Sequence, residues 1–143
     1  MASVKDRENR VARYGYDADR NLISVTDPMG QIVDYIYYRN GTIKSLIDEN
    51  DHTTTWNRDI QSRVTSKVFA NNTQTVYGYE STTSRLKDIL DAKGQTKRYG
   101  YDKNNQVTSI SYLNALNPTP NVSIAYDPFF PRVTSMVDGI GTT

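Results

Sequence analysis

The 143-residue chain contains no cysteine, one histidine and one tryptophan. Without cysteine there are no disulfides and no thiolate ligands, and a single imidazole cannot supply the several donors that a zinc site normally needs. No run approaches the roughly 18–20 apolar residues of a membrane-spanning helix. The opening stretch from Met1 to Arg10 is too charged for a secretory signal peptide. An excess of either charge is missing as well: 17 basic and 16 acidic residues are interspersed to a net charge of +1. No basic stripe is left to neutralise a phosphate backbone, which excludes nucleic acid as an expected partner. Apolar residues make up 36% of the chain, short of the roughly 45–50% of a domain with a full core. The aromatic residues are mostly tyrosine, 11 against 3 Phe. Each Tyr ring carries a hydroxyl that needs a partner or water, which suits a thin and partly wet structure.

What the chain does have is a repeat. The tetrad Tyr14-Gly15-Tyr16-Asp17 recurs as Tyr35-Ile36-Tyr37-Tyr38, Trp56-Asn57-Arg58-Asp59, Tyr77-Gly78-Tyr79-Glu80, Tyr99-Gly100-Tyr101-Asp102 and Ile124-Ala125-Tyr126-Asp127. The steps between the tetrads are 21, 21, 21, 22 and 25 residues. The longest step holds a Pro/Asn-rich insertion over residues 114–121, which reads as a lengthened loop. A second column follows each tetrad as aliphatic-x-Ser-apolar: Leu22 to Val25, Ile43 to Leu46, Val107 to Ile110 and Val133 to Met136. Val64 to Lys67 and Leu86 to Ile89 deviate from it. Turn residues close each unit, as in Pro28-Met29-Gly30 and Ala92-Lys93-Gly94.

Each unit therefore reads as a strand carrying the aromatic pair, a polar turn, a second strand and another turn, which is one β-hairpin. The predicted organisation is a polar segment over residues 1–10 followed by six repeats over residues 11–143. The fold class is all-β, a curved single-layer strip of tandem antiparallel hairpins. Tyrosines two apart project from the same face of a strand. If those rings form a core, truncating one costs about 3–5 kcal/mol, against about 0–1 for an exposed ion pair.

The tetrads, the Arg/Asn-aliphatic pairs that follow them (Arg20-Asn21-Leu22, Arg63-Val64, Arg85-Leu86, Arg132-Val133) and the Asp27-Pro28-Met29-Gly30 turn resemble the YD repeats of bacterial Rhs proteins. The same repeats occur in the B and C subunits of insecticidal toxin complexes and in teneurins. The resemblance implies a strip of hairpins that spirals into a hollow shell around a toxin payload. It also implies a parent protein that is secreted or associated with a cell surface. Its partners would be a toxin domain or further repeats of the same polypeptide, with self-association through free strand edges. In bacterial members an Asp-Pro-x-Gly-Leu junction marks release of the payload by an internal protease. Here Gln31 stands in place of that Leu and five further repeats follow, so residues 27–31 read as a hairpin turn.

Catalytic chemistry has little to work with. His52 lies in the turn segment Glu49-Asn50-Asp51-His52, with no nucleophile-base constellation suggested around it. Asp17, Asp59, Asp102 and Asp127 recur at one repeat position, which points to a turn device copied with the unit rather than to a singular acid/base pair. Arg20, Arg63, Arg85 and Arg132 form a near-column, with Thr42 and Gln106 in the second and fifth units. The expectation is a structural protein with no catalytic residue, metal or cofactor. The repeat columns Tyr14, Tyr16, Tyr35, Tyr37, Trp56, Tyr77, Tyr79, Tyr99, Tyr101 and Tyr126, with the aspartates above, hold the fold. The alternative is an adhesion module that binds glycan or protein through exposed aromatic columns.

Overall fold

The computed structural model describes residues 2–117 and 119–143. Pro118 of the 114–121 insertion lies outside the described residues. The described chain is all-β, with thirteen strands and no helix, and it divides into two compact units, residues 1–74 and 75–143. In the first unit the strands are β1 (Ala2–Lys5), β2 (Val11–Tyr16), β3 (Leu22–Thr26), β4 (Ile32–Tyr37), β5 (Ile43–Ile47), β6 (Thr53–Arg58) and β7 (Val64–Val68). Each pairs antiparallel with the next in chain order. The second unit follows the same rule from β8 (Gln74–Tyr79), whose first residue closes the first unit. Its other strands are β9 (Leu86–Leu90), β10 (Thr96–Tyr101), β11 (Val107–Leu113), β12 (Val122–Tyr126) and β13 (Val133–Val137).

The first ten residues hold more than a polar segment. Ala2–Lys5 pairs with β2, and Asp6 to Arg10 forms a turn that closes through Asp6 N–H to Arg10 O at 3.0 Å. Its pairing with β2 and its closing turn match those of the second strand of a repeat.

Most turns at both ends of the hairpins share one geometry. The first residue of a five-residue turn donates its N–H to the carbonyl of the fifth, as from Asp17 to Asn21 and from Asp48 to His52. The fourth residue has a positive φ, as at Arg20 (67°), Gly30 (86°), Ser62 (65°) and Gly94 (80°). That left-handed conformation fits the right-handed twist of the flanking strands and favours Gly or Asn, so Arg20 and Ser62 carry some strain.

No apolar side chain among the described residues is buried, and Ser45, 6% exposed, is the one buried polar residue. The column tyrosines form no dry core. Most column tyrosines are half-buried and Tyr16 is 48% exposed. Within each unit the sheet is a single layer, so neither face has a second layer to dry it. One ladder of cross-strand neighbours carries Tyr14, Val25 and Val33, then Tyr35, Leu46 and Thr54. The neighbouring ladder carries Gly15, Ser24 and Asp34, then Ile36, Ser45 and Thr55.

Candidate functional site

The feature repeated along the chain is a seam at the second aromatic position. There the register shifts, between Gly15 and Tyr16, Ile36 and Tyr37, Asn57 and Arg58, Gly78 and Tyr79, Gly100 and Tyr101, and Ala125 and Tyr126. Each shift is a β-bulge that sets two residues of the following strand against one. Ser24 faces Gly15, Ser45 faces Ile36, Ser66 faces Asn57 and Ser109 faces Gly100. A Cβ on Gly15 or Gly100 would stand 2.3 Å from the opposing Ser Oγ. The Gly and Ser columns are therefore two halves of one close approach. At Gly78 the partner is Asp88, and a Cβ would meet nothing nearer than 3.5 Å.

In three units the second aromatic residue staples its hairpin to the one before. Tyr37 Oη donates to Leu22 O at 2.7 Å, Tyr101 Oη to Leu86 O at 2.7 Å and Tyr126 Oη to Val107 O at 3.0 Å. In the third unit Arg58 occupies the column, and its Nη2 reaches Ile43 O at 3.4 Å. Burial pushes the hydroxyls of Tyr37 and Tyr101 above the ordinary phenol range. Two of the first aromatic residues, Trp56 and Tyr99, meet lysines instead. Lys67 Nζ lies 5.5 Å from the Trp56 ring centre and 4.8 Å from that of Phe69, and Lys97 Nζ lies 5.2 Å from Tyr99 and 5.9 Å from Tyr112.

The aspartate columns sit in the turns. Asp17 Oδ1 accepts Asn21 N–H, Asp59 Oδ1 accepts Gln61 and Arg63 N–H, and Asp102 Oδ1 accepts Asn104 and Gln106 N–H, all at 2.8–3.0 Å. The other carboxylate oxygen often takes the side chain of the fifth residue: Asp6 with Arg10, Asp17 with Asn21, Asp59 with Arg63 and Asp91 with Gln95. His52 belongs to this set, with Nδ1 3.2 Å from Asp48 Oδ2. Side-chain hydrogen bonds from Arg10 and Arg85 hold Asp6 and Glu80 below the usual carboxylate range. Backbone N–H groups of His52 and Phe129 do the same for Asp48 and Asp127.

This geometry corrects the arginine column. Arg63, Arg85 and Arg132 stand at the last turn position with Asn21, Thr42 and Gln106, whereas Arg20 occupies the left-handed position before Asn21. Arg85 does the most there. Its Nε bonds Glu80, its Nη1 bonds Asp102 O and Asn105 Oδ1, and its guanidinium lies 4.6 Å from the Tyr101 ring centre. Among the described residues no cluster of His, Asp or Glu has the makings of a metal site.

Within each unit, fold and seam define tandem antiparallel β-hairpins in a single layer, stitched at one repeat position. The same fold occurs in a crystal structure of TcdB2-TccC3-Cdc42, at 22% identity and a TM-score of 0.74 over 88% of this chain. It occurs again in the Tc holotoxin pore of Photorhabdus luminescens with a TccC3 variant, at 21% identity and a TM-score of 0.75 over 89% of this chain. A TcdB2-TccC3 crystal structure matches at 22% and 0.74. The chain spans 7% of the length of each of these chains. No family model matches the sequence, and no curated protein does. At these identities the likeness establishes the fold, and it falls on Tc complexes, the group to which the repeat tetrads already point.

Proposed function

We propose that the chain is a wall segment of a YD-type β-shell, a structural element that encloses or scaffolds a payload carried by the same polypeptide, and that it is not an enzyme. The observation that carries this reading is a sheet with no buried apolar side chain among the described residues, held within each unit by the same tyrosine staple between successive repeats. A domain organised around a private core has no need of such a seam. A wall with two solvated faces does, because its cohesion must come from within the layer. The glycan-binding reading has less support. Lys67 and Lys97 lie against the Trp56 and Tyr99 rings, and the hydroxyls of Tyr37, Tyr101 and Tyr126 are spent on backbone carbonyls.

The test is limited proteolysis of the full polypeptide that this reading frame encodes, comparing the wild type with Tyr37→Ala/Tyr101→Ala. Segments outside the repeats resist digestion in the wild type and become cleaved in the variant if the wall encloses them. Equal digestion in both, or a polypeptide with nothing beyond its repeats to protect, refutes enclosure.

A further inference from the structure

The turn between β12 and β13 departs from the shared pattern in length and in chemistry. It runs Asp127-Pro128-Phe129-Phe130-Pro131-Arg132 and closes through Asp127 N–H to Arg132 O at 3.0 Å, one residue longer than its neighbour from Asp102 to Gln106. Phe129 is 86% exposed and Phe130 62%. An exposed pair of adjacent phenyl rings stabilises little within the fold, and apolar surface of this kind marks contact with something else.

The rings are held in place. Pro128 and Pro131 fix φ on either side. Asp127 Oδ1 accepts the N–H of Phe129 at 2.9 Å and of Phe130 at 3.2 Å, and Phe130 O accepts Arg132 N–H at 2.7 Å. The Arg132 guanidinium lies 5.7 Å from the Phe130 ring centre. A surface ordered before its ligand arrives loses less entropy on binding.

Beside the rings lies a groove of about 260 Å³, bounded on its far side by Asn104 and Gln106 of the neighbouring turn. Neither of their side-chain amides bonds another described residue. The groove contains one carboxylate, Asp127, and Arg132 neutralises it through Nη2 at 2.8 Å and Nε at 3.0 Å. The result is an apolar wall, an amide floor and no free charge.

We propose that this groove docks an extended, uncharged polypeptide segment bearing an aromatic or aliphatic side chain. A primary amide offers a donor and an acceptor together, matching the N–H and C=O of a peptide unit, so Asn104 and Gln106 hold the backbone. Phe129 and Phe130 take the apolar side chain, in the manner of aromatic hot spots. An anionic ligand finds no free cation there and a cationic one no free carboxylate. The volume lies below the roughly 300–1,000 Å³ of pockets that engulf a small molecule, and suits one or two side chains of a passing strand. This inference goes beyond the wall reading and does not depend on it.

Fluorescence anisotropy with the whole chain and a labelled, end-capped Gly-Leu-Phe-Leu-Gly peptide tests the proposal, with Gly-Glu-Phe-Glu-Gly as the charged control. The neutral peptide binds saturably and the control does not. Phe129→Ser with Phe130→Ser weakens binding by about tenfold or more, and Gln106→Ala, which leaves the aromatic turn intact, by about threefold. Circular dichroism of both variants matches the wild type, because the altered side chains lie in turns. Absence of saturable peptide binding overturns the proposal, and so does binding indifferent to the phenylalanines. Phe-dependent binding to phosphatidylcholine vesicles without peptide binding also overturns it, by assigning the turn to a lipid surface.

Discussion

Removing one oxygen atom from the seam tests how the strip coheres. Tyr101→Phe deletes the Oη that donates to Leu86 O at 2.7 Å and leaves the ring in place, still available to the Arg85 guanidinium 4.6 Å from its centre. A neutral hydrogen bond contributes about 0.5–1.5 kcal/mol net, and stranding a fully dry carbonyl costs about 1–3. The seam is half-buried rather than dry, so the loss is about 1 kcal/mol, lowering the melting temperature by roughly 3–5 °C for a chain of this size. Tyr99→Phe is the internal control. It sits two residues away on the same strand, with no hydrogen bond from its hydroxyl to another described residue, and its removal shifts the melting temperature by less than about 1 °C. Calorimetry and urea titration of the two variants give the comparison. Equal shifts would show that the hydroxyl staple does not hold one hairpin to the next.

The two glycine-to-alanine changes at one repeat position differ in outcome by about 1 kcal/mol. Gly78→Ala, with Asp88 at 3.5 Å from the new Cβ, stabilises by about 0.5–1 kcal/mol through a stiffer unfolded chain. Gly100→Ala drives Ser109 Oγ from a 2.3 Å approach and costs about 1 kcal/mol relative to that gain; urea midpoints that move together would refute the Gly-Ser account. Stability also falls in acid. Asp6, Asp17, Asp48, Asp59, Asp127 and Glu80 are all held below the ordinary carboxylate range in the folded chain, so their contribution is complete above the unfolded carboxylate range near pH 4 and fades as pH falls through the folded values. At the other end Tyr37 and Tyr101 are raised, so stability declines once pH passes the unfolded phenol value of about 10. Thermal melts from pH 2 to 11 give a plateau between these limits, and a melt that is flat below pH 4 would count against turn carboxylates as a source of stability.

The period, the hairpins and the strand order within each unit were legible because the aromatic tetrads, the aliphatic-x-Ser segments and the turn residues repeat in step. Three features were not. The bulge at Gly100/Tyr101 breaks the strict alternation that assigns faces, and nothing in the residues flanking it announces a shift that only pairing with Val107 and Ser109 reveals. Arg20 passed for a column member because arginine seldom takes the left-handed turn position; its φ of 67° sets the register one residue later, at Asn21. The strand Ala2–Lys5 carries no aromatic tetrad and so left no mark. Whether the tyrosines build a dry core was not legible either. Aromatic content signals a core only when a second layer closes over it, and none does within either unit. The Pro128-Phe129-Phe130-Pro131 tip was visible as a turn, but its exposure and the amides facing it depend on how two consecutive turns are set side by side.

The third unit offers the most direct test that the seam is a transferable rule, because there the rule is broken. Arg58 stands where other units place tyrosine, and its fit is poor. Nη1 bonds Ser62 O at 2.9 Å, Nη2 reaches Ile43 O only at 3.4 Å, and Nε is buried with no hydrogen-bond partner. A buried donor left unpaired costs about 1–3 kcal/mol, and more when it belongs to a charged group. Arg58→Tyr removes that donor and supplies a hydroxyl able to reach the Ile43 carbonyl, fifteen residues back, as Tyr37 reaches Leu22 and Tyr101 reaches Leu86. The bond to Ser62 O is lost, but that carbonyl lies in a turn within reach of water. Substitutions that restore a repeat consensus commonly gain about 0.5–2 kcal/mol, and here the gain should be about 1. Arg58→Phe separates the two contributions, since it removes the orphan donor without restoring the staple and should recover less than Arg58→Tyr. A melting temperature that rises for Tyr and less for Phe supports a seam that works by hydroxyl-to-carbonyl stapling. A fall for both would mean that the guanidinium at this position stabilises the third unit in a way that tyrosine cannot replace.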